Sequence, residues 1–139
     1  MVTTLVACPA ILQAPPSLLL SQWRELYDRG LKVVVPLALF SATSFGYLAY
    51  ETSRTEGTNS NRSRLYVAAT VATISYGPFT RLVLGSSIDR LFELGETGAK
   101  ASGDEIRKQV ETWTFLNGIR GALTMVGAVM GLLAMSAPT

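Results

Sequence analysis

The sequence predicts an all-α protein, a small integral-membrane bundle of four helices with the first one short or truncated. Two observations carry that reading. The chain is 48% hydrophobic and 16% charged, where ordinary soluble domains carry about 25% charged residues. The charges are also bunched: residues 33–50, 65–80 and 121–138 contain none. At 139 residues the length suits one domain, expected to cover 1–139.

Each element follows from where the charges stop. A membrane helix needs about 20 mainly apolar residues to cross about 30 Å of hydrocarbon. Three segments qualify. The first is 31–50. The second is 65–88, apolar to Ile88 except for Arg81. The third is 113–136, whose apolar run reaches back through Arg120 to Trp113. Residues 2–12 are uncharged and apolar, but Pro9, Pro15 and Pro16 interrupt the region. Without a positive n-region this stretch is a poor signal peptide. It is read as the remaining half of a first membrane helix ending near Gln13. Pro15-Pro16 then breaks the chain, and Ser17 starts an interfacial helix through Tyr27. Residues 51–64 are rich in Ser, Thr, Asn and Gly, and read as a solvated loop. Residues 95–104 are the loosest stretch, and Asp104 reads as the N-cap of the last helix. The positive-inside rule places 21–32 and 89–112 in the cytoplasm. That side holds Arg24, Arg29, Lys32, Arg90, Lys100, Arg107 and Lys108, against Arg54, Arg62 and Arg64 opposite.

Composition also removes function classes. Histidine is absent and Cys8 is the single cysteine. This excludes an internal disulfide framework, a thiolate metal cluster, an imidazole-held metal and a histidine base. No metal site is expected. A net charge of +2 carries no nucleic-acid signal, and there is no glycine-rich dinucleotide fingerprint.

A few residues within the apolar runs bear on chemistry. Arg81 and Arg120 are charges at membrane depth, where each costs at least about 2.5–3.5 kcal/mol unless it faces a bundle interior or a wet cavity. Asn117 and Arg120 stand at i and i+3 and share a helix face with Trp113 and Thr124. The plainer reading is that Arg120 snorkels to an interface. Pro78, in Tyr76-Gly77-Pro78-Phe79-Thr80, removes a backbone hydrogen bond and bends its helix. The bend either serves packing or opens a pocket lined by Tyr76 and Thr80. Trp23 and Tyr27, at i and i+4, read as an aromatic belt at headgroup depth. Gly127 and Gly131 have the spacing of a close helix contact.

The ordered series Trp23, Tyr27-Asp28, Gly30, Pro36, Arg64, Tyr66, Ala68-Ala69, Pro78-Phe79-Thr80, Asp89-Arg90-Leu91, Trp113, Asn117 and Arg120 resembles the anthrone oxygenase family. These are small fungal membrane proteins of polyketide secondary metabolism, and the resemblance covers about residues 5–136. It implies a monooxygenase that converts a polyketide anthrone, or a related polyphenol, to the anthraquinone with molecular oxygen and no added cofactor. Two departures are visible. Only about ten residues of the first helix are present, and Ser87-Ile88 stands where many members have Thr-Asn.

The resemblance and the residues together suggest roles. Arg120 and Asn117, with Tyr66, would hold the ionised phenol-ketone edge, since a guanidinium is always charged and presents a fork of donors. Trp23, Trp113 and Tyr27 would stack on the flat substrate, with Thr80 beside them. Asp89 is the carboxylate the motif places best as a base, and spontaneous ionisation in the pocket is the alternative. The expected partners are the aromatic substrate, oxygen and the lipid bilayer, with no nucleic acid. An oligomer and a location in the endoplasmic reticulum or another endomembrane are compatible with the sequence. The competing reading is a non-catalytic membrane scaffold or assembly protein. A transporter or channel subunit would need a polar pore stripe, and only the Asn117–Arg120 face comes close.

Overall fold

The computed structural model describes residues 6–97 and 102–137. Its elements are helical throughout, and no strand occurs among the described residues. Helix α1, Cys8–Ile11, is short. The turn after it continues to Ala14, whose N–H donates to Ile11 O at 2.9 Å. Helix and turn thus end close to Gln13, where the end of the first helix was expected; residues 1–5 lie outside the described residues.

Helix α2, Pro16–Glu56, is continuous over 41 residues. This joins two elements that the sequence suggested were separate, the interfacial helix 17–27 and the span 31–50. Gly30 between them is an ordinary helical residue, and Pro36 lies inside the helix. A proline removes only one intrahelical bond, and apolar surroundings favour keeping all the others. At about 1.5 Å per residue α2 is about 60 Å long, roughly twice the hydrocarbon thickness.

The helix also runs into the polar stretch expected to be a loop. Its hydroxyls bond back to carbonyls of the preceding turn: Thr55 Oγ1 donates to Glu51 O at 3.0 Å, and Ser53 Oγ to Tyr50 O at 2.7 Å. Turn-favouring residues are thereby accommodated in a helix. Gly57, with φ 93°, ends it, because that backbone suits only glycine well. Ser60 then caps helix α3, Asn61–Ile74, by accepting from Ser63 N–H at 3.1 Å.

The next span is interrupted after Pro78, as the missing N–H predicts. After α3 come helix α4, Tyr76–Phe79, a π-helical segment Thr80–Leu84, and helix α5, Gly85–Thr97. The proline has no N–H for the Ile74 carbonyl, and the chain passes through a wider turn before regular geometry resumes. Of the loose stretch 95–104, residues 98–101 lie outside the described residues. Helix α6, Gly103–Ser136, begins earlier than expected. Ser102, not Asp104, is its cap, with Ser102 Oγ accepting from Glu105 N–H at 3.2 Å. Ser102-Gly103-Asp104-Glu105 is a capping-box sequence.

Three stretches, Pro16–Glu56, Asn61–Glu96 and Gly103–Ser136, are long and apolar enough to cross a membrane. They contain the three predicted spans. Large apolar side chains such as Leu39, Phe40, Val71, Leu82 and Leu132 are exposed on them, as lipid-facing residues are. The protein is a multi-pass membrane protein.

The chain forms two compact units. Unit 1 comprises residues up to Val33 and Phe79–Gly121; unit 2 comprises Val34–Pro78 and the residues from Ala122. The core of unit 1 is built on Cys8, Leu19, Trp23, Leu84, Leu91, Val110 and Trp113. Arg107 reaches from α6 to donate to the Leu12 carbonyl, which ties the end of α1 to this unit. Unit 2 centres on Ala49, Tyr66 and Ala134. There Gly127 and Gly131 make the predicted close contacts. A Cβ on Gly127 would lie 3.1 Å from Thr73 Oγ1, and one on Gly131 would lie 2.5 Å from Phe45 Cε1. Arg62 pairs with Glu56 at 2.7 Å and donates to the Ala134 carbonyl at 3.3 Å.

Candidate functional site

The polar centre of unit 1 is built around Arg120. Its Nη2 donates to Asn117 Oδ1 one turn earlier on α6, as the i, i+3 spacing requires. Its Nη1 donates to Thr80 Oγ1 at 3.3 Å. Thr80 is the first residue of the π-helical segment, so the irregular turn after Pro78 is what presents its hydroxyl. Asn117 is only 5% exposed, and Arg120 and Thr80 are half-buried. Two neutral groups thus help to orient the arginine within a protein-lined site. A guanidinium is always charged and presents a fork of donors suited to an anionic oxygen.

On α6, Trp113 lies one turn before Asn117, and around it the unit gathers aromatic rings. Trp23 stacks on Tyr27 with centroids 5.4 Å apart and meets Trp113 edge-on at 5.7 Å. Phe92 closes the group, 5.5 Å from Trp23 and 5.8 Å from Tyr27. Trp23 and Trp113 are 1% and 2% exposed. The expected headgroup belt is thus turned inward: these rings pack on one another. The indole N–H groups of both tryptophans are buried without a hydrogen-bond partner, a state that costs about 1–3 kcal/mol per donor.

Of the residues singled out in the sequence, Arg120, Asn117 and Thr80 meet directly, and Trp23, Tyr27 and Trp113 meet one another. Asp89 is exposed on α5 and takes part in no ion pair among the described residues. Tyr66 is buried in the core of unit 2. Tyr76 also belongs to unit 2, and Thr80 to unit 1.

One feature had no distinct signal in the sequence. Phe92 completes the aromatic group, although no aromatic spacing on α5 marks it. Ser87, noted above as a departure, is buried and accepts from Gln109 Nε2 at 3.2 Å. A small hydroxyl at this position still serves as a helix-to-helix acceptor.

Fold and site define a class: a small multi-pass helical membrane protein with an arginine-centred polar site beside a closed aromatic group. The chain belongs to the anthrone oxygenase family, whose model matches residues 23–130. Anthrone oxygenase tpcL of Aspergillus fumigatus is 34% identical over 116 residues, covering 84% of this chain and 70% of that protein. Anthrone oxygenase encC of the same organism is 30% identical, covering 94% and 81%. Monooxygenase hypC of Dothistroma septosporum is also 30% identical, covering 94% and 71%. No solved structure matches the chain.

Proposed function

We propose that this protein is an oxygenase that converts a polyketide anthrone, or a related polyphenol, to the anthraquinone with molecular oxygen. Membership of the anthrone oxygenase family carries the reading, and the Arg120–Asn117–Thr80 cluster gives it a chemical centre.

The chemistry asks little of the protein beyond what this cluster offers. The anthrone methylene is acidic, because loss of a proton gives an aromatic enolate. The enolate carbon reduces oxygen and forms a carbon–oxygen bond. Loss of water then leaves a carbonyl where the CH2 stood: one O2 is consumed and one H2O released per anthraquinone. The reading needs no added cofactor, because the substrate itself supplies the electrons.

Arg120 stabilises the enolate oxygen, and Asn117 and Thr80 hold the guanidinium in place. A preorganised donor in a poorly hydrated site is effective because it does not need to reorganise as charge develops. Lowering the energy of the enolate lowers the pKa of the methylene, so a weak base suffices. Asp89 is the proposed base, with spontaneous ionisation as the alternative route. Trp23, Trp113 and Tyr27 form the apolar wall against the flat rings. The protein works as one domain in an endomembrane, the setting that suits an apolar substrate.

The test is conversion of emodin anthrone by membranes containing the protein, compared with membranes lacking it. Anthraquinone should form faster than by autoxidation, and Arg120→Leu should lower the enzymatic part about 100-fold or more while the protein still inserts. A rate equal to that of empty membranes would instead favour a non-catalytic scaffold.

A further inference from the structure

Unit 1 carries an open cleft of about 450 Å³ between the first turns of α2, the end of α5 and the start of α6. This lies within the roughly 300–1,000 Å³ of small-molecule sites. Its apolar wall is formed by Leu20, Trp23, Leu91, Phe92 and Ile106. Its polar side is formed by Ser17, Ser21 and Arg24. The Arg24 guanidinium lies over the Phe92 ring, 5.0 Å from its centroid. No carboxylate lines the cleft among the described residues, and Arg24 enters no ion pair among them. Its neighbour Glu25 is engaged by Arg29 at 2.5 Å. Close approach of two elements closes one end: a Cβ on Gly103 would lie 2.7 Å from Pro16 Cγ.

We propose that this cleft is a second ligand site, specific for a planar aromatic that carries an anionic group. Flat rings lie along Leu20 and Phe92, beside the buried Trp23, and a carboxylate or enolate oxygen meets Arg24. An arginine stacked on an aromatic face offers its N–H groups edgewise, in the plane where a carboxylate accepts them two at a time. A ligand without the anion forgoes the charge-assisted bonds and leaves Arg24 to water. Trp23, the wall of the cleft, abuts Trp113, and Trp113 stands one turn from Asn117. The aromatic group thus separates this site from the Arg120 cluster within the same unit. On the oxygenase reading, which supplies the aromatic class of the ligand, the cleft selects carboxylated or ionised anthrones over neutral ones.

The test is a binding measurement, so it stands whether or not turnover is found. The full chain in an uncharged detergent is titrated with anthraquinone-2-carboxylate and with neutral 2-methylanthraquinone. Quenching of its two tryptophans, Trp23 and Trp113, is the signal. The carboxylate should bind about tenfold more tightly than the methyl compound. Arg24→Gln, at an exposed position that leaves the core intact, should abolish that preference, and Arg24→Lys should restore part of it. Gly95→Leu is the second variant. Gly95 lines the cleft, and a Cβ there meets nothing within 4 Å, so leucine fills the space without a clash and should weaken both compounds. Equal affinity of the wild type for the two compounds would overturn the proposal. So would undiminished carboxylate binding by Arg24→Gln, or undiminished binding of both by Gly95→Leu.

Discussion

Arg120 is held by two contacts that differ in origin. The bond to Asn117 lies within one helix and follows from a spacing of three residues. The bond to Thr80 joins residues 40 apart in sequence. On the proposed mechanism Thr80 orients the guanidinium, so Thr80→Val, which keeps the shape and removes the hydroxyl, should lower turnover about fivefold, the worth of one neutral hydrogen bond. Its KM should change little, and steady-state kinetics on membranes would separate the two quantities. A loss as large as that of Arg120→Leu would instead make the threonine a direct contact of the substrate. Asn117 is the more sensitive position, because it is buried and its replacement by leucine deprives the arginine of its intrahelical acceptor.

At the scale of elements, the helix boundaries are set by a few residues of special chemistry. Gly57 ends α2 at a positive φ of 93°. Gly57→Ala should cost about 1–2 kcal/mol, because a Cβ is disfavoured in that backbone region. Ser102→Ala, which removes the cap of α6, should cost about 1 kcal/mol. Thermal unfolding in detergent would measure both, and neither change should alter the preference among substrates. The irregular segment from Pro78 to Leu84 has a different importance. It interrupts a span that could have been one straight helix, and it does so at the residue that contacts Arg120.

For the whole molecule, membrane insertion and the core of unit 1 are the quantities at issue. Alkaline carbonate should leave the protein in the membrane fraction, given three helices able to cross the bilayer. Trp23→Ala should cost about 3–5 kcal/mol of stability, as removal of a fully buried tryptophan does. That loss would appear as a lowered unfolding temperature even with no substrate present. Orientation can be read with one engineered thiol. Cys8, the single natural cysteine, is fully buried, so Ser102→Cys at an exposed position should be the principal site of labelling. An impermeant maleimide should reach it from the cytoplasmic face, as the distribution of Lys and Arg predicts.

Much of this was legible in the amino-acid sequence. The spans follow from charge-free runs, because hydrocarbon tolerates neither charges nor unpaired backbone groups, and this holds whatever the neighbours are. The Asn117–Arg120 pair, the interruption of regular helix after Pro78 and the close contacts at Gly127 and Gly131 are local consequences of spacing, and the structure has them where the spacing puts them. The length of α2 was not legible. Serine and threonine favour turns in water but bond back to a helix when the helix is otherwise stable, and which outcome wins depends on the surroundings. The aromatic group was only half legible: Trp23 and Tyr27 share a face by periodicity, but an outward belt and an inward cluster have the same periodicity. Tertiary packing decided between them by bringing Phe92 and Trp113 against Trp23, and it alone brought Thr80 to Arg120. By itself, then, the sequence determined a membrane-spanning all-α chain of the anthrone oxygenase type. The tertiary structure decided which polar groups meet, because contacts between residues far apart in the chain depend on how helices are placed, and helical periodicity contains no information about placement.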